Sequence, residues 1–317
     1  MLGRSSMKFR LLGCALLAVL ACTLTQAQEL PQVKELTHNW RGYKIYYKTG
    51  GLTTHVEGEV EAPVIFLHGF GSSSFVWREN LAPLAQTRKV VALDLLGFGK
   101  SDKPAIEYSP DVWVNLVHEF ARANGFPKVV LVGSDLGGLV AAEFALRFPD
   151  KTEKLVLVDS LGISCNLSRT QRLFFKPVIG RASFRLFFRQ GYVGRVLRNS
   201  VYGDPLLVTD DVIQGYHRPF RSPGAASAYR NIGKRMRQWR LGPRAKEIAV
   251  PTLIVWGEDD RVTPLADAIE LDSLIPNSTI VTIPGAGHYP QAESPARFNS
   301  YLSRYLRRPA ATSSTAP

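Results

Sequence analysis

Residues 129–142, VVLVGSDLGGLVAA, constrain the fold of this chain more than any other stretch. Val129 to Val132 are branched or aliphatic, as a buried strand requires, and the glycine cluster after them marks a sharp turn into a helix-forming run. Gly133 and Gly137 flank Asp135 with the spacing Gly-x-Nu-x-Gly, in which small neighbours let a strained nucleophile project at the edge of a sheet. Ser134 does not fit this role. A frame centred on it would need glycine at Val132 and Leu136, so the central position belongs to Asp135.

Around this strand-turn-helix the chain alternates strand and helix signals. Trp40 to Lys48 reads as one or two antiparallel strands. Val64–Leu67, Val90–Leu93, Leu155–Val158, Thr252–Val255 and Thr279–Ile283 read as buried strands. A helix opens at Ser109-Pro110, places Trp113, Leu116, Val117 and Phe120 on one face, and ends before Gly125. The pattern predicts an α/β fold with a mostly parallel sheet buried on both faces. A length of 317 residues with 45% hydrophobic content suits one large domain with an insertion. The expected core covers residues 38–161 and 247–307, with a helical cap over 162–246. In that cap, Arg172 to Phe188 presents apolar faces through Phe174, Phe175, Phe184, Leu186 and Phe187. Beyond Ser294-Pro295 a last helix carries Phe298, Leu302, Tyr305 and Leu306, and residues 308–317 read as a disordered tail.

At the N-terminus, Lys8 and Arg10 precede the apolar run Leu11 to Leu24, and Thr25-Gln26-Ala27 offers a small-residue cleavage site. Residues 1–27 are therefore expected to be a signal peptide or a retained membrane anchor, and the protein to be exported. Cys22 is a weak lipid-attachment candidate. Cys14 and Cys22 lie in this segment, which leaves Cys165 alone in the mature domain and allows no internal disulfide. Charge is concentrated elsewhere. The chain carries 39 Lys and Arg against 27 Asp and Glu, whereas the cap alone has 17 against 3, a net +14 that leaves the remainder slightly acidic. A basic lid suits an anionic ligand or an acidic membrane surface, against the plainer alternative of a solvated face. No nucleic-acid motif, nucleotide-binding loop or metal cluster accompanies it, so no cofactor, metal or nucleic-acid partner is expected.

Taken as a set, HGFG at 68, DLLGFGKSDKP at 94, GSDLGG at 133, VWGEDDRVTP at 255 and GAGHYPQAESP at 285 resemble the α/β-hydrolase family from about residue 40 to 307. The resemblance implies that fold, with a cap, and a nucleophile–acid–histidine triad in chain order. The matching positions are Asp135, Asp260 and His288, with the Phe70 and Leu136 N–H groups as an oxyanion hole. Asp159, after Val158, is a second candidate for the acid. His68 reads as a structural histidine.

An aspartate at this elbow changes the chemistry. Attack on a carboxylic ester would give a high-energy anhydride, whereas attack on an alkyl carbon gives an ester that water, activated by His288, can hydrolyse. That is the resemblance to the aspartate-nucleophile branch of the family, the epoxide hydrolases and haloalkane dehalogenases. This chain departs from both. Leu136 stands where they carry tryptophan, and Gly71 where epoxide hydrolases carry proline. The epoxide hydrolase resemblance also implies two cap tyrosines that protonate the alkoxide, for which Tyr192, Tyr202, Tyr216 and Tyr229 are available, and Tyr289 is placed to line the mouth of the site. The expected protein is a cofactor-free, epoxide hydrolase-like enzyme acting on a small, partly apolar, anionic molecule. The alternatives are a haloalkane dehalogenase, a hydrolase that uses Asp135 only electrostatically, and a non-catalytic ligand-binding descendant of a serine hydrolase.

Overall fold

The computed structural model describes residues 31–52, 55–56, 59–165, 184 and 188–307. The expected signal or anchor, the tail, and most of the segment from Arg172 to Phe188 lie outside them. Eight strands form one sheet: β1 (Lys34–Trp40), β2 (Tyr43–Gly50), β3 (Val64–Leu67), β4 (Val90–Leu93), β5 (Val129–Ser134), β6 (Thr152–Val158), β7 (Thr252–Gly257) and β8 (Ser278–Ile283). Their order across the sheet is β1-β2-β4-β3-β5-β6-β7-β8. Both pairings of β2 are antiparallel and every other pairing is parallel. A two-stranded hairpin at His55–Val56 and Glu59–Val60 stands apart from the sheet.

The branched runs form strands because both sheet faces are covered. Ile65, Leu67, Leu131, Leu157 and Trp256 pack into one apolar layer, and their chain neighbours Val64, Phe66, Val132, Val158 and Val255 pack into the other. Helices α1 (Leu81–Ala85), α2 (Pro110–Ala123) and α3 (Leu136–Arg147) follow β3, β4 and β5 respectively. In α2, Pro110 opens the first turn, and Gly125 (φ +70°) stands just past the end. Strand β1 begins at Lys34, ahead of the expected domain start at 38. It is an edge strand whose first four residues are exposed, so it has no apolar alternation to announce it.

Between β6 and β7 lie α4 (Gln190–Val196), α5 (Asp210–His217) and α6 (Ala225–Arg235), joined by a π-helical turn (Leu197–Val201) and short 3₁₀ turns. After β7 come α7 (Leu265–Leu274), then α8 (Pro290–Glu293) and α9 (Pro295–Arg307) beyond β8. Among the described residues no helix is long and apolar enough to cross a membrane.

The β5–α3 turn is the tightest point of the fold. A Cβ on Gly133 would lie 2.2 Å from the Gly137 carbonyl oxygen, and one on Gly137 would lie 2.3 Å from that of Leu67. Both contacts are to backbone, which cannot swing aside. Gly137→Ala is expected to lose roughly 1–3 kcal/mol of stability through overpacking; urea unfolding would read this as a lower midpoint with an unchanged slope.

Candidate active site

Asp135 bridges β5 and α3 with φ +50° and ψ −118°. Such a conformation costs a non-glycine residue about 1–3 kcal/mol and persists only where neighbours fix it. Here its N–H donates to the Val158 carbonyl (3.0 Å), while its own carbonyl accepts from Gly138 (2.9 Å) and Leu161 (3.0 Å). The side chain is 6% exposed, and its Oδ2 accepts the Phe70 N–H at 2.7 Å. The Leu136 N–H also favours the charged form of this carboxyl group. Both expected oxyanion donors therefore converge on Asp135 itself.

The loop that carries Phe70 is fixed from behind by His68. Fully buried, His68 donates through Nδ1 to the Gly69 carbonyl (2.8 Å) and accepts the Leu95 N–H on Nε2 (3.1 Å), and burial pushes its pKa down. It is a structural histidine. At Gly71 the backbone has φ +72°, which proline cannot adopt, and a Cβ would approach the Tyr229 ring at 3.3 Å. A proline like that of epoxide hydrolases would therefore not fit this loop's geometry.

Asp260 lies on the loop after β7, and His288 on the loop between β8 and α8. His288 Nδ1 stands 2.8 Å from Asp260 Oδ2, with both side chains buried. Asp260 Oδ2 also accepts the Thr263 hydroxyl (2.6 Å), and its Oδ1 accepts the N–H groups of Val262 (2.7 Å) and Thr263 (3.2 Å). Burial works against the Asp260 charge, but His288 and these hydrogen bonds outweigh it and hold its pKa below the ordinary value. Burial likewise opposes charge on His288, yet Asp260, then Asp135 and Glu293, raise its pKa to about 9. Burial pushes the Asp135 pKa up, against the pull of His288 and the N–H groups of Phe70 and Leu136.

Asp159, the second candidate acid, is also here. One donor atom each from Asp159, Asp260 and His288 lie within 4.8 Å of one another. The imidazole nevertheless pairs with Asp260, not Asp159. These three groups could in principle ligate a metal, but the Nδ1 and both Asp260 oxygens are already committed to one another and to Thr263 and Val262, a hydrogen-bonded arrangement and not an open ligand set.

The Asp135 charge is felt at two phenols, Tyr229 and Tyr289, each raised first by burial. Tyr229, on α6, stacks on Phe70 with ring centroids 4.3 Å apart. Tyr289 is buried beside His288 and stacks on Tyr216 at 5.5 Å, with Tyr202 at 6.2 Å. Tyr192 is coupled to Tyr229 rather than to Asp135. Of the expected aromatic faces of the insertion, Phe184 is described; it packs with Phe188, Phe220 and Tyr229. Phe174, Phe175, Leu186 and Phe187 lie outside the described residues.

Two residues that the sequence motifs do not single out complete the frame. Thr263 closes a short turn on Asp260, a pattern hinted at by Asp and Thr three positions apart. Glu293 accepts the N–H groups of Gly287 (3.0 Å), Tyr289 (3.1 Å) and Gly203 (2.7 Å), which ties the His288 loop to the insertion. The His288 N–H adds a bond to the Val201 carbonyl at 2.7 Å.

Residues 64–300 match the family model described as "Alpha/beta hydrolase family". The chain belongs to the alpha/beta hydrolase family. Among curated relatives of this hydrolase, a 2-hydroxy-6-oxo-6-(2'-aminophenyl)hexa-2,4-dienoic acid hydrolase of Metapseudomonas resinovorans is 30% identical, over 90% of this chain and 97% of its own. A solved serine hydrolase involved in carbazole degradation (CarC enzyme) superposes with a TM-score of 0.72 at 26% identity, covering 87% of this chain and 99% of its own. The epoxide hydrolase CorEH has a TM-score of 0.73 over 87% of this chain and 99% of its own; at 22% identity it shows the shared fold alone.

Because Asp135 helps raise His288, removing its charge has a defined sign. Asp135→Asn is expected to lower the His288 midpoint from about 9, read from the imidazole ¹⁵N shifts; an unchanged midpoint would mean that the Asp135 charge does not reach the ring. Since the folded pKa exceeds the ordinary 6.5, the stabilisation from charged His288 is fully present below about pH 6.5 and is lost as pH rises through about 9.

Proposed function

We propose that this hydrolase is cofactor-free and works through a covalent aspartyl alkyl ester, most directly by opening an epoxide. The observation that carries the reading is the orientation of Asp135. Oδ2 is held by the Phe70 N–H at 2.7 Å, which leaves Oδ1 as the attacking atom. Oδ1 bonds to an epoxide carbon, the C–O bond breaks, and the alkoxide takes a proton from Tyr229 or Tyr289. Water then adds to the Asp135 carboxyl carbon, giving its proton to His288. The oxyanion forms on Oδ2, already in contact with the Phe70 N–H; collapse expels the second alkoxide, which takes the proton from His288 to give the diol, and the proton left on Asp135 returns to the tyrosinate.

The first step also prepares the second. Esterification removes the negative charge of Asp135, one of the groups that raises His288, so the imidazole becomes a base when water must be activated. Asp260 and Thr263 hold the ring meanwhile. Halide displacement would follow the same covalent path, but Leu136 offers no side-chain donor to a halide, whereas two phenols sensitive to Asp135 suit an alkoxide.

Substrate class is read from the insertion. Phe184, Phe188, Phe220 and Tyr229 make an apolar aromatic cluster, and the +14 segment around it favours an anionic molecule. The Metapseudomonas relative is named as a hydrolase of a dienoic acid, in keeping with a carboxylate-bearing substrate. We propose an epoxide with an apolar body and an acidic end. Export through residues 1–27, and contact of the basic insertion with an acidic membrane surface, extend the same reading; cell fractionation of the full chain tests the first.

The alkyl ester should be trapped when its hydrolysis is blocked. His288→Gln is expected to slow turnover by about 10²- to 10⁴-fold while still consuming one equivalent of a reactive epoxide, with the mass of one substrate added at Asp135. Asp135→Asn should neither turn over nor gain mass. If no member of a panel of epoxides, including fatty-acid epoxides, and haloalkanes adds mass to His288→Gln, the covalent reading fails in favour of a binding protein. Tyr229→Phe should slow the alkylation step and leave hydrolysis of the ester unchanged.

A further inference from the structure

We propose that Asp159 is a positioning residue behind the Asp260–His288 pair: a neutral carboxylic acid that donates its hydrogen to Asp260 and thereby limits how strongly Asp260 holds charge on His288. The proposal rests on His288 serving as the base of the reaction above, but its geometry and its test do not need substrate.

Asp159 ends β6 just as the Asp260 loop follows β7, so neighbouring parallel strands deliver two carboxyl groups to one place. It is completely buried and holds φ +42°, a conformation that an unconstrained aspartate would leave. Its N–H donates to the Val255 carbonyl (3.1 Å), and its Oδ1 accepts the Gly257 N–H (3.0 Å). Its Oδ2 is buried and accepts no hydrogen bond. An ionised Asp159 would leave that oxygen unsatisfied, put a second carboxylate charge within 4.8 Å of Asp260, and hold it away from water. Each of these costs free energy.

Protonation resolves all three. Asp260 has the better claim on the shared negative charge, because His288, Thr263 and Val262 all donate to it. Asp159 has one backbone donor. Burial, then the Asp260 charge, and more distantly Glu293, accordingly push the Asp159 pKa well above the ordinary value, and an Asp260 oxygen within 4.8 Å is the acceptor we assign to its hydrogen. The groups that act on His288 are Asp260 after β7, Asp135 at the elbow and Glu293 on α8, with the Tyr289 ring beside it. A hydrogen bond from Asp159 draws electron density from Asp260 and weakens its hold on the imidazolium. The base therefore releases its proton to the leaving alkoxide more readily than a lone Asp260–His288 pair would allow.

Two variants of the full chain separate this role from a structural one. In Asp159→Asn the amide still donates to Asp260, and the His288 midpoint, followed by imidazole ¹⁵N shifts, should stay where it is. In Asp159→Ala the donor is lost, and the midpoint should rise by about half a pH unit or more. A fall in both variants would mean that Asp159 is ionised, and would overturn the proposal; no movement in either would overturn it as well. Infrared difference spectra between wild type and Asp159→Asn give a reading that survives if the alanine variant does not fold. A neutral carboxylic acid C=O band must be present at neutral pH in the wild type and missing in the variant. Its absence from the wild type would also refute the proposal. None of these readings depends on Asp135 forming an ester.

Discussion

The backbone of Asp135 can hold φ +50° and ψ −118° only because its neighbours carry no Cβ where the Gly137 and Leu67 carbonyls press in. That constraint sets the rest of the site. A strand that ends and a helix that begins across one residue send its carboxyl out of the sheet and into the Phe70 loop. The Phe70 N–H, which would otherwise await an oxyanion, then holds a carboxylate oxygen. Gly71, with φ +72°, and His68, bonded on both ring nitrogens, keep that loop in register with the elbow. In a serine hydrolase the same donors would face an oxygen of the substrate. Here an oxygen of the elbow residue itself, Asp135 Oδ2, meets the Phe70 N–H.

Charge is managed by sharing. Four ionisable side chains, Asp135, Asp159, Asp260 and His288, are buried together, and only His288 among them can carry positive charge. Each additional negative charge raises His288, and each hydrogen bond to Asp260 fixes where that charge resides. This coupling raises the imidazole pKa to about 9, and removing the Asp135 charge would lower it. Glu293 contributes geometry more than charge, since three backbone N–H groups saturate it while it ties the loop after β8 to Gly203 in the insertion.

Much of this is legible in the sequence, for physical reasons that differ by element. Strands β3 to β8 announce themselves because burial on both faces demands uninterrupted branched residues, and α2 because Pro110 and Gly125 punctuate it. Asp135, Asp260, His288 and Phe70 are legible because each sits at a fixed place in a turn whose glycines cannot vary freely. The start of β1 is not, since an edge strand exposes its side chains. Glu293 escapes because it acts on backbone groups, which leave no mark in residue type, and Thr263 because a hydroxyl three positions after an aspartate is common in turns. The choice of Asp260 over Asp159 as partner of His288 depends on how β6 and β7 place their ends side by side, and the singling out of Tyr229 depends on how α6 packs over Phe70. Neither is written in spacing.

The proposed mechanism requires that Asp135 become covalently attached and then be hydrolysed at its own carboxyl carbon. A single turnover in ¹⁸O-labelled water with excess enzyme, followed by mass analysis of the peptide containing Asp135, measures this directly. The mechanism predicts heavy oxygen in the Asp135 carboxyl group and none in the first molecule of product. Label in the product alone, with Asp135 unlabelled, would mean that water attacks the substrate itself, and the covalent mechanism would be wrong.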